Sequence, residues 1–259
     1  SEMCIRDRLT MSYDDGKHED RRLVELFNRY GIKGTFNVNS GLEGDPVRIP
    51  QAEYRELYKG HEIACHTVSH PTIGRCPIEL VAQEVLEDRK KLEEIMGYPV
   101  RGLAYPNGSE SKEIRAMLPA LGIRYGRVVG NTDGFAMPED FLQWKATCHH
   151  DHNLLSLGQE FVDLHKKQYL YMMYVWGHSY EFTKNNNWEV MEEFCRLVGG
   201  RDDIWYATNI QIVDYMDVIK AAQYAADGSF VYNPCVQSLW LCVDDEKFVE
   251  VKGGQQVSL

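Results

Sequence analysis

Nowhere in the 259 residues does an apolar run approach the ~20 that a membrane-crossing helix needs. Positive charge is also scarce. There are 28 basic residues against 39 acidic ones, a net charge of −11 spread without long blocks. That sign opposes the phosphate backbone of nucleic acids and anionic lipid alike, and it accepts a neutral or cationic substrate more easily. No Cys-x-x-Cys pair occurs. Cys65, Cys195 and Cys242 sit within apolar patterns, as buried free thiols do. Unpaired cysteines favour a reducing, cytoplasmic compartment.

What remains is enough for a large core: 44% of the residues are hydrophobic and the mean hydropathy is −0.42. The length suits one large α/β domain or two small ones. Residues 1–8 show neither helical nor strand periodicity and resemble translated adapter sequence. On that reading the natural N-terminus is missing, and a secreted or cell-surface protein stays open.

From Leu9 onward, strand-like and helix-like segments alternate. Leu23, Leu26, Phe27 and Tyr30 recur at helical spacing before Gly31. A helix is expected from Pro77 to Met96, opened by Pro and closed by Gly97. Others are expected at Gln51–Tyr58, Leu154–His165, Trp188–Val198 and Ile210–Tyr224, with strands at 34–38, 125–129, 169–176 and 204–206. This order implies a parallel sheet or barrel over residues 9–226. Residues 227–259 read instead as short strands split by turns at Asp244-Asp245 and Gly253-Gly254. A segment of ~30 residues rarely folds alone, so a β extension packed on the main domain is expected.

Four polar clusters each follow an apolar strand-like run: Asp14-Asp15-Gly16, His66-Thr67-Val68-Ser69-His70, Tyr105-Pro106-Asn107-Gly108 and Gly177-His178. In barrels of parallel strands, catalytic groups gather at the carboxyl ends of the strands. Asp-Asp-Gly alone is turn chemistry, but a helical pattern follows it here. Two carboxylates at a strand end can then divide labour, one on a metal and one taking a proton. His66 and His70, four apart, would share one face of a helical turn and suit chelation. Pairing His61-Glu62 with His66 as a zinc-protease helix fails, because five residues turn the second ring about 140° from the first. His178 alone is as compatible with a structural role. The run Cys148-His149-His150-Asp151-His152 reads either as a loop lining the cleft or as a second metal site. Two His and one carboxylate leave an open position on Zn²⁺ for water or substrate. A second Asp can take the water's proton, and an acid opposite can protonate a leaving amine.

Ser12-Tyr13-Asp14-Asp15-Gly16 and His66-Thr67-Val68-Ser69-His70 resemble two signatures of the polysaccharide deacetylases, the NodB-homology family of carbohydrate esterases. The resemblance runs in order from about Leu9 to Ala225. It implies a distorted (β/α) barrel of about seven strands and metal-dependent removal of acetyl groups from sugars. It makes Asp14 the base, and Asp15, His66 and His70 the ligands of a divalent ion. Zn²⁺ is expected, with Co²⁺, Ni²⁺ and Mn²⁺ also fitting. It makes His178 the acid and sets Trp176 at the acetyl pocket. The N–H of Asn107 would face the oxyanion, supported by Tyr105 and Pro106.

Two departures stand out. Ala104-Tyr105-Pro106-Asn107 lacks the Arg that steadies the family's base, which leaves Arg127 or Arg101 to replace it. The Asp-rich fourth motif is not recognisable around Asn131–Gly134, so Asp133 and Asp151 are the candidates to orient His178. Residues 130–152 stand where that motif should be, and are expected to wall the cleft. Trp144 would stack on sugar, with His149 and His150 beside the substrate. The reading is a metal-dependent deacetylase of an N-acetylated carbohydrate. The rivals are an amidase on a non-sugar amide and a carbohydrate-binding protein without turnover.

Overall fold

Strand β1 (Asp7–Asp14) runs through the middle of the molecule, buried along nearly its whole length. The structure is a computed structural model that describes residues 7–164, 169–243 and 247–259. Cys4, His165 and the expected Asp244-Asp245 turn lie outside them. β1 begins two residues earlier than the hydrophobic pattern indicates, and Arg8 is fully buried.

The order is α1 (Asp20–Tyr30), β2 (Gly34–Val38), α2 (Tyr54–Leu57), β3 (Glu62–Cys65), α3 (Ile78–Met96), β4 (Gly102–Ala104), α4 (Lys112–Met117) and β5 (Tyr125–Val128). Then come β6 (Trp144–Lys145), β7 (Cys148–His149), α5 (Leu154–Val162), β8 (Met172–Gly177), α6 (Tyr180–Lys184), α7 (Trp188–Val198), β9 (Ile204–Tyr206) and α8 (Asn209–Ala221). Each helix face follows from its sequence. In α1, Leu23, Val24, Leu26 and Phe27 are buried, and Gly31 ends the helix at φ 69°, a conformation glycine adopts without strain. Burying each such side chain contributes roughly 1.5–3 kcal/mol. Ser111 caps α4 through the Ile114 N–H, and Thr208 with Gln211 forms a capping box on α8.

The nine strands form one sheet in the order β6-β5-β4-β3-β2-β1-β8-β7, with β9 also on β1. Every pairing within it is parallel. The two edge strands, β6 and β7, are separated by Ala146 and Thr147 alone. The sheet therefore curls until its edges are joined by one short run of chain, giving the distorted barrel that was expected. Seven strands have three or more residues, and the other two are two-residue edge strands.

Part of the barrel interior is polar, and its carboxylate and amide groups pair with neighbours. Glu62 accepts from Tyr125 and Thr35, and Asn209 bonds Thr10, Thr35 and Tyr174. Buried polar groups persist when they satisfy one another in this way.

The end of α8 and the exposure of Cys242 differ from the sequence reading. α8 ends at Ala221, because β10 (Gln223–Tyr224) already pairs with β11 (Phe230–Tyr232). β12 (Leu239–Val243), β13 (Lys247–Val251) and β14 (Gln256–Ser258) complete this segment, which packs through Val231, Leu239 and Val251 onto Tyr215 and Val218 of α8. Cys242 is exposed, since it alternates out of β12, while Cys65, Cys148 and Cys195 are buried; all six described cysteines are free thiols. His61 is structural: its Nδ1 accepts the Gly34 N–H, and its Nε2 faces Asn28.

Candidate active site

Because the strands are parallel, their carboxyl ends share one rim, and the register places the functional groups around it. Tyr13 pairs with Gly177, so Asp14 and His178 leave adjacent strands at the same level. Val38 pairs with Cys65, the residue before His66. Ala104 pairs with Arg127, which brings that arginine to the rim from inside β5.

Asp14 is buried, and both its oxygens accept from the Arg127 guanidinium. Asn37 donates to Oδ1 at 2.9 Å. Burial alone would push the carboxyl up, but Arg127, then His66 and His178, outweigh it and hold Asp14 at about 2. Trp176 lies over Arg127, with the guanidinium carbon 4.6 Å from the ring centroid. Of the two arginines that sequence left open, Arg127 stands at the base. Arg101 is paired with Asp214 through two bonds of 2.7 Å.

Asp14 Oδ2 lies 3.9 Å from His66 Nε2. Asp15 beside it is held in the left-handed region at φ 78° with its carbonyl taken by Arg48. Its Oδ1 lies 3.8 Å from His66 Nε2 and 3.9 Å from His70 Nε2, and its Oδ2 lies 4.0 Å from His178 Nε2. His66 and His70 do not share a helical turn. Positive φ at Thr67 and His70 coils the loop instead, and it still delivers both rings to Asp15.

The residues fit a divalent cation. His66 Nδ1 contacts the Ala104 carbonyl at 2.8 Å and must donate to it, which leaves the Nε2 lone pair facing Asp15. Asp15 Oδ1 is buried with no hydrogen-bond partner, and the ligand atoms of Asp15, His66 and His70 lie within 4.8 Å of one another. Asp88 of α3 braces this group by accepting the N–H of His66 at 3.0 Å and that of Ser40 at 2.8 Å.

His178 faces Asp15 with Nε2, while its Nδ1 lies 3.4 Å from Glu181 Oε2. Burial lowers its basicity, but Glu181, Asp14 and Asp15 more than reverse that, so its pKa is raised. Glu181 is the carboxylate the sequence reading missed, three residues on in the same turn. Asp133 is paired with His152 at 2.7 Å, and Asp151 stands beside His149 and His150. Glu181 Oε2 also accepts the His178 N–H at 3.0 Å and contacts His149 Nε2 at 3.1 Å and His150 Nε2 at 3.2 Å. Burial raises the Glu181 pKa, and these three rings overcome it to hold the carboxyl far below its usual range. His149 Nδ1 accepts the Asp151 N–H, so its hydrogen is on Nε2 and points at Glu181. That tautomer makes the cluster a hydrogen-bond hub, and the ligand atoms of His149, His178 and Glu181, and those of His149, His150 and Asp151, also lie within 4.8 Å of one another, close enough to hold an ion.

Two expected substrate contacts change. Trp144 is fully buried, edge-on to Tyr125, Phe141 and Tyr174, and offers no face to a sugar. His150 is 2% exposed, stacked on Tyr13 and packed on Phe182. A Cβ on Gly177 would lie 2.2 Å from its Nδ1, which is why glycine precedes His178. His149 keeps a partly exposed ring against Trp176. On the opposite rim Tyr105 and Pro106 are buried, the Tyr105 hydroxyl donating to Leu142 O at 2.6 Å. Asn107 is exposed at φ 57°, with its side chain on Thr72. Tyr180, half-buried 5.3 Å from His178, is an aromatic at the site that no spacing signalled.

A curled parallel β/α barrel with two carboxylates, three imidazoles and a buried arginine at its carboxyl rim defines the class of site. Sequence comparison adds a family likeness over part of the chain. Residues 5–126 match the model of the polysaccharide deacetylase family, so the resemblance carried by the Asp-Asp and His-His motifs holds. The chain is 25% identical over 109 residues to a peptidoglycan-N-acetylglucosamine deacetylase of Listeria monocytogenes, covering 41% of this chain and 23% of that protein. It is 27% identical over 103 residues to a chitooligosaccharide deacetylase of Rhizobium leguminosarum, covering 39% and 43%. The chain thus spans less than half the length of these relatives. Among solved structures, a peptidoglycan deacetylase of Bacillus subtilis shares the fold at a TM-score of 0.55 and 15% identity, covering 83% of this chain and 94% of that one. His178 and Glu181 lie beyond the matched stretch.

Proposed function

We propose that this chain is a metal-dependent deacetylase that hydrolyses the N-acetyl group of an amino sugar. One observation carries the reading. Asp15 lies within 4.0 Å of the Nε2 atoms of His66, His70 and His178, while Asp14 beside it is held ionised by Arg127. A group that only bound sugar would need neither an ionised base nor an acid opposite it. The names of the matched relatives support N-acetylated sugars as the substrate class.

Asp15, His66 and His70 would hold the ion, with Zn²⁺ suited to two imidazoles and one carboxylate. When bound, such an ion supplies Lewis acidity to a carbonyl and lowers the pKa of water toward ~7. Asp14, ionised at neutral pH, takes a proton from the attacking water as its oxygen bonds to the acetyl carbon. Arg127 and Asn37 keep that carboxylate aimed and charged. His178 then gives a proton to the sugar nitrogen as the C–N bond breaks, releasing acetate and a free amine. Glu181 holds the far side of the ring. The N–H of Asn107, the donor that the family resemblance implies, would serve the oxyanion.

Acetate release from N-acetylglucosamine oligomers and from non-sugar acetamides, with and without chelator, tests the proposal. Chelator-sensitive release from the oligomers is expected. Release from non-sugar amides alone would make the chain an amidase, and oligomer binding without release would make it a binding protein.

A further inference from the structure

Asp20 opens α1, five residues after Asp15, and is fully buried. Its Oδ2 accepts from the Tyr58 hydroxyl at 2.7 Å and its Oδ1 from the Ser179 hydroxyl at 2.5 Å. Ser179 follows His178 directly and is itself fully buried. None of these three side chains touches the reacting groups, and the motifs do not include them.

Their placement is what matters. α1 continues the loop that carries Asp14 and Asp15, and Ser179 begins the turn that carries His178 and Glu181. β1 and β8 fix the two loops to one level only as far as Tyr13 and Gly177. Beyond that point the strands no longer pair, and the Asp20–Ser179 bond ties one loop to the other. The Tyr58 bond anchors the same carboxylate to the core, where Tyr58 packs on Phe36 at 4.7 Å. A carboxylate taken out of water is retained when its partners hold it, and here each oxygen has one hydroxyl.

We propose that Asp20 is a positioning residue, whose bond to Ser179 sets where His178 stands relative to Asp14 and Asp15. The inference rests on the acid–base reading above. Asp20 acts through two separable arms, one reaching the His178 turn and one reaching the core. A merely structural carboxylate would not distinguish them.

The test compares Ser179→Ala, Tyr58→Phe and Asp20→Asn in the full chain. Each is measured on an N-acetyl sugar amide and on an aryl acetate, with a thermal melt beside the kinetics. Ser179→Ala should lower kcat on the amide on the order of 10–100-fold with little change in KM, since small displacements of a catalytic group carry that cost. The aryl acetate should lose several-fold less, because a phenolate leaves without a proton. Tyr58→Phe should lower Tm yet keep the amide-to-ester ratio. Asp20→Asn keeps one acceptor oxygen and should fall between the two. Adding Ser179→Ala to His178→Ala should cost nothing further on the amide. Equal shifts of the ratio in Ser179→Ala and Tyr58→Phe, or a wild-type ratio in Ser179→Ala, would overturn the proposal.

A wild-type chain that released no acetate from either substrate would refute the deacetylase reading separately. The imidazole nitrogen shifts of His178, read by long-range proton–nitrogen NMR, would then decide the positioning. A displacement in Ser179→Ala upholds it and unchanged shifts overturn it.

Discussion

Replacing Arg127 by Met removes the guanidinium that contacts both oxygens of Asp14, and its effect can be worked from the structure. Asp14 stands at about 2 against an ordinary 3.8. That depression corresponds to about 2 kcal/mol of stability, present above about pH 4 and lost as pH falls through about 2. The substitution costs more than this, because it leaves a buried carboxylate without its partner. Breaking a buried ion pair from one side typically costs about 3–5 kcal/mol. In a domain of this size each kcal/mol moves Tm by roughly 2–4 °C, so a fall on the order of 6–20 °C is expected. Burial is then opposed by the weaker set of His66, His178 and the Asn37 donor, so the Asp14 pKa must rise and carry the acid limb of kcat/KM to higher pH. Adding Asp14→Asn removes the stranded charge and should recover much of the lost Tm, with no recovery of activity. The assays are thermal melts and pH–rate profiles on an N-acetyl sugar. An Arg127→Met chain melting within a degree or two of wild type, with its acid limb unmoved, would refute the reasoning.

His178→Ala should spare an aryl acetate relative to an amide, since only the amide needs its leaving group protonated; equal losses on both would remove its role as acid. Gly177→Ala drives a Cβ to 2.2 Å from His150 Nδ1. It should cost about 1–3 kcal/mol in thermal or denaturant melts, and wild-type stability would show that the ring yields freely. Trp144→Ala should lower stability by about 3–5 kcal/mol and change KM for long and short substrates alike. A selective rise in KM for oligosaccharides would restore the stacking role that burial removes.

The order of elements and the four rim clusters were legible because strand and helix periods alternate cleanly and each cluster ends an apolar run. The site's pairings were less so. Arg127 and Arg101 look equivalent in sequence, and only the β4–β5 register, Ala104 against Arg127, separates them. Glu181 sits in Tyr180–Lys184 with no motif around it, although the His-x-x-Glu spacing from His178 could have flagged it as an i,i+3 neighbour. The His66–His70 spacing invited a helical turn, since nothing in the residue types shows positive φ at Thr67 and His70. Trp144 lies in a polar stretch and so looked exposed, yet the barrel closes through that stretch and turns the ring inward. The hydrophobic pattern gives depth along a strand, but not which side of a curled sheet a short edge strand presents.

In the proposed mechanism Asp14 acts as base beside a metal it does not hold. The most direct measurement is the initial rate of acetate release from N-acetylglucosamine oligomers by Asp14→Asn, with zinc content determined on the same sample. The expected result is a full complement of zinc with the rate reduced on the order of 100-fold or more, the usual scale for losing a general base. A rate close to that of the wild type, or loss of the zinc together with the activity, would contradict it.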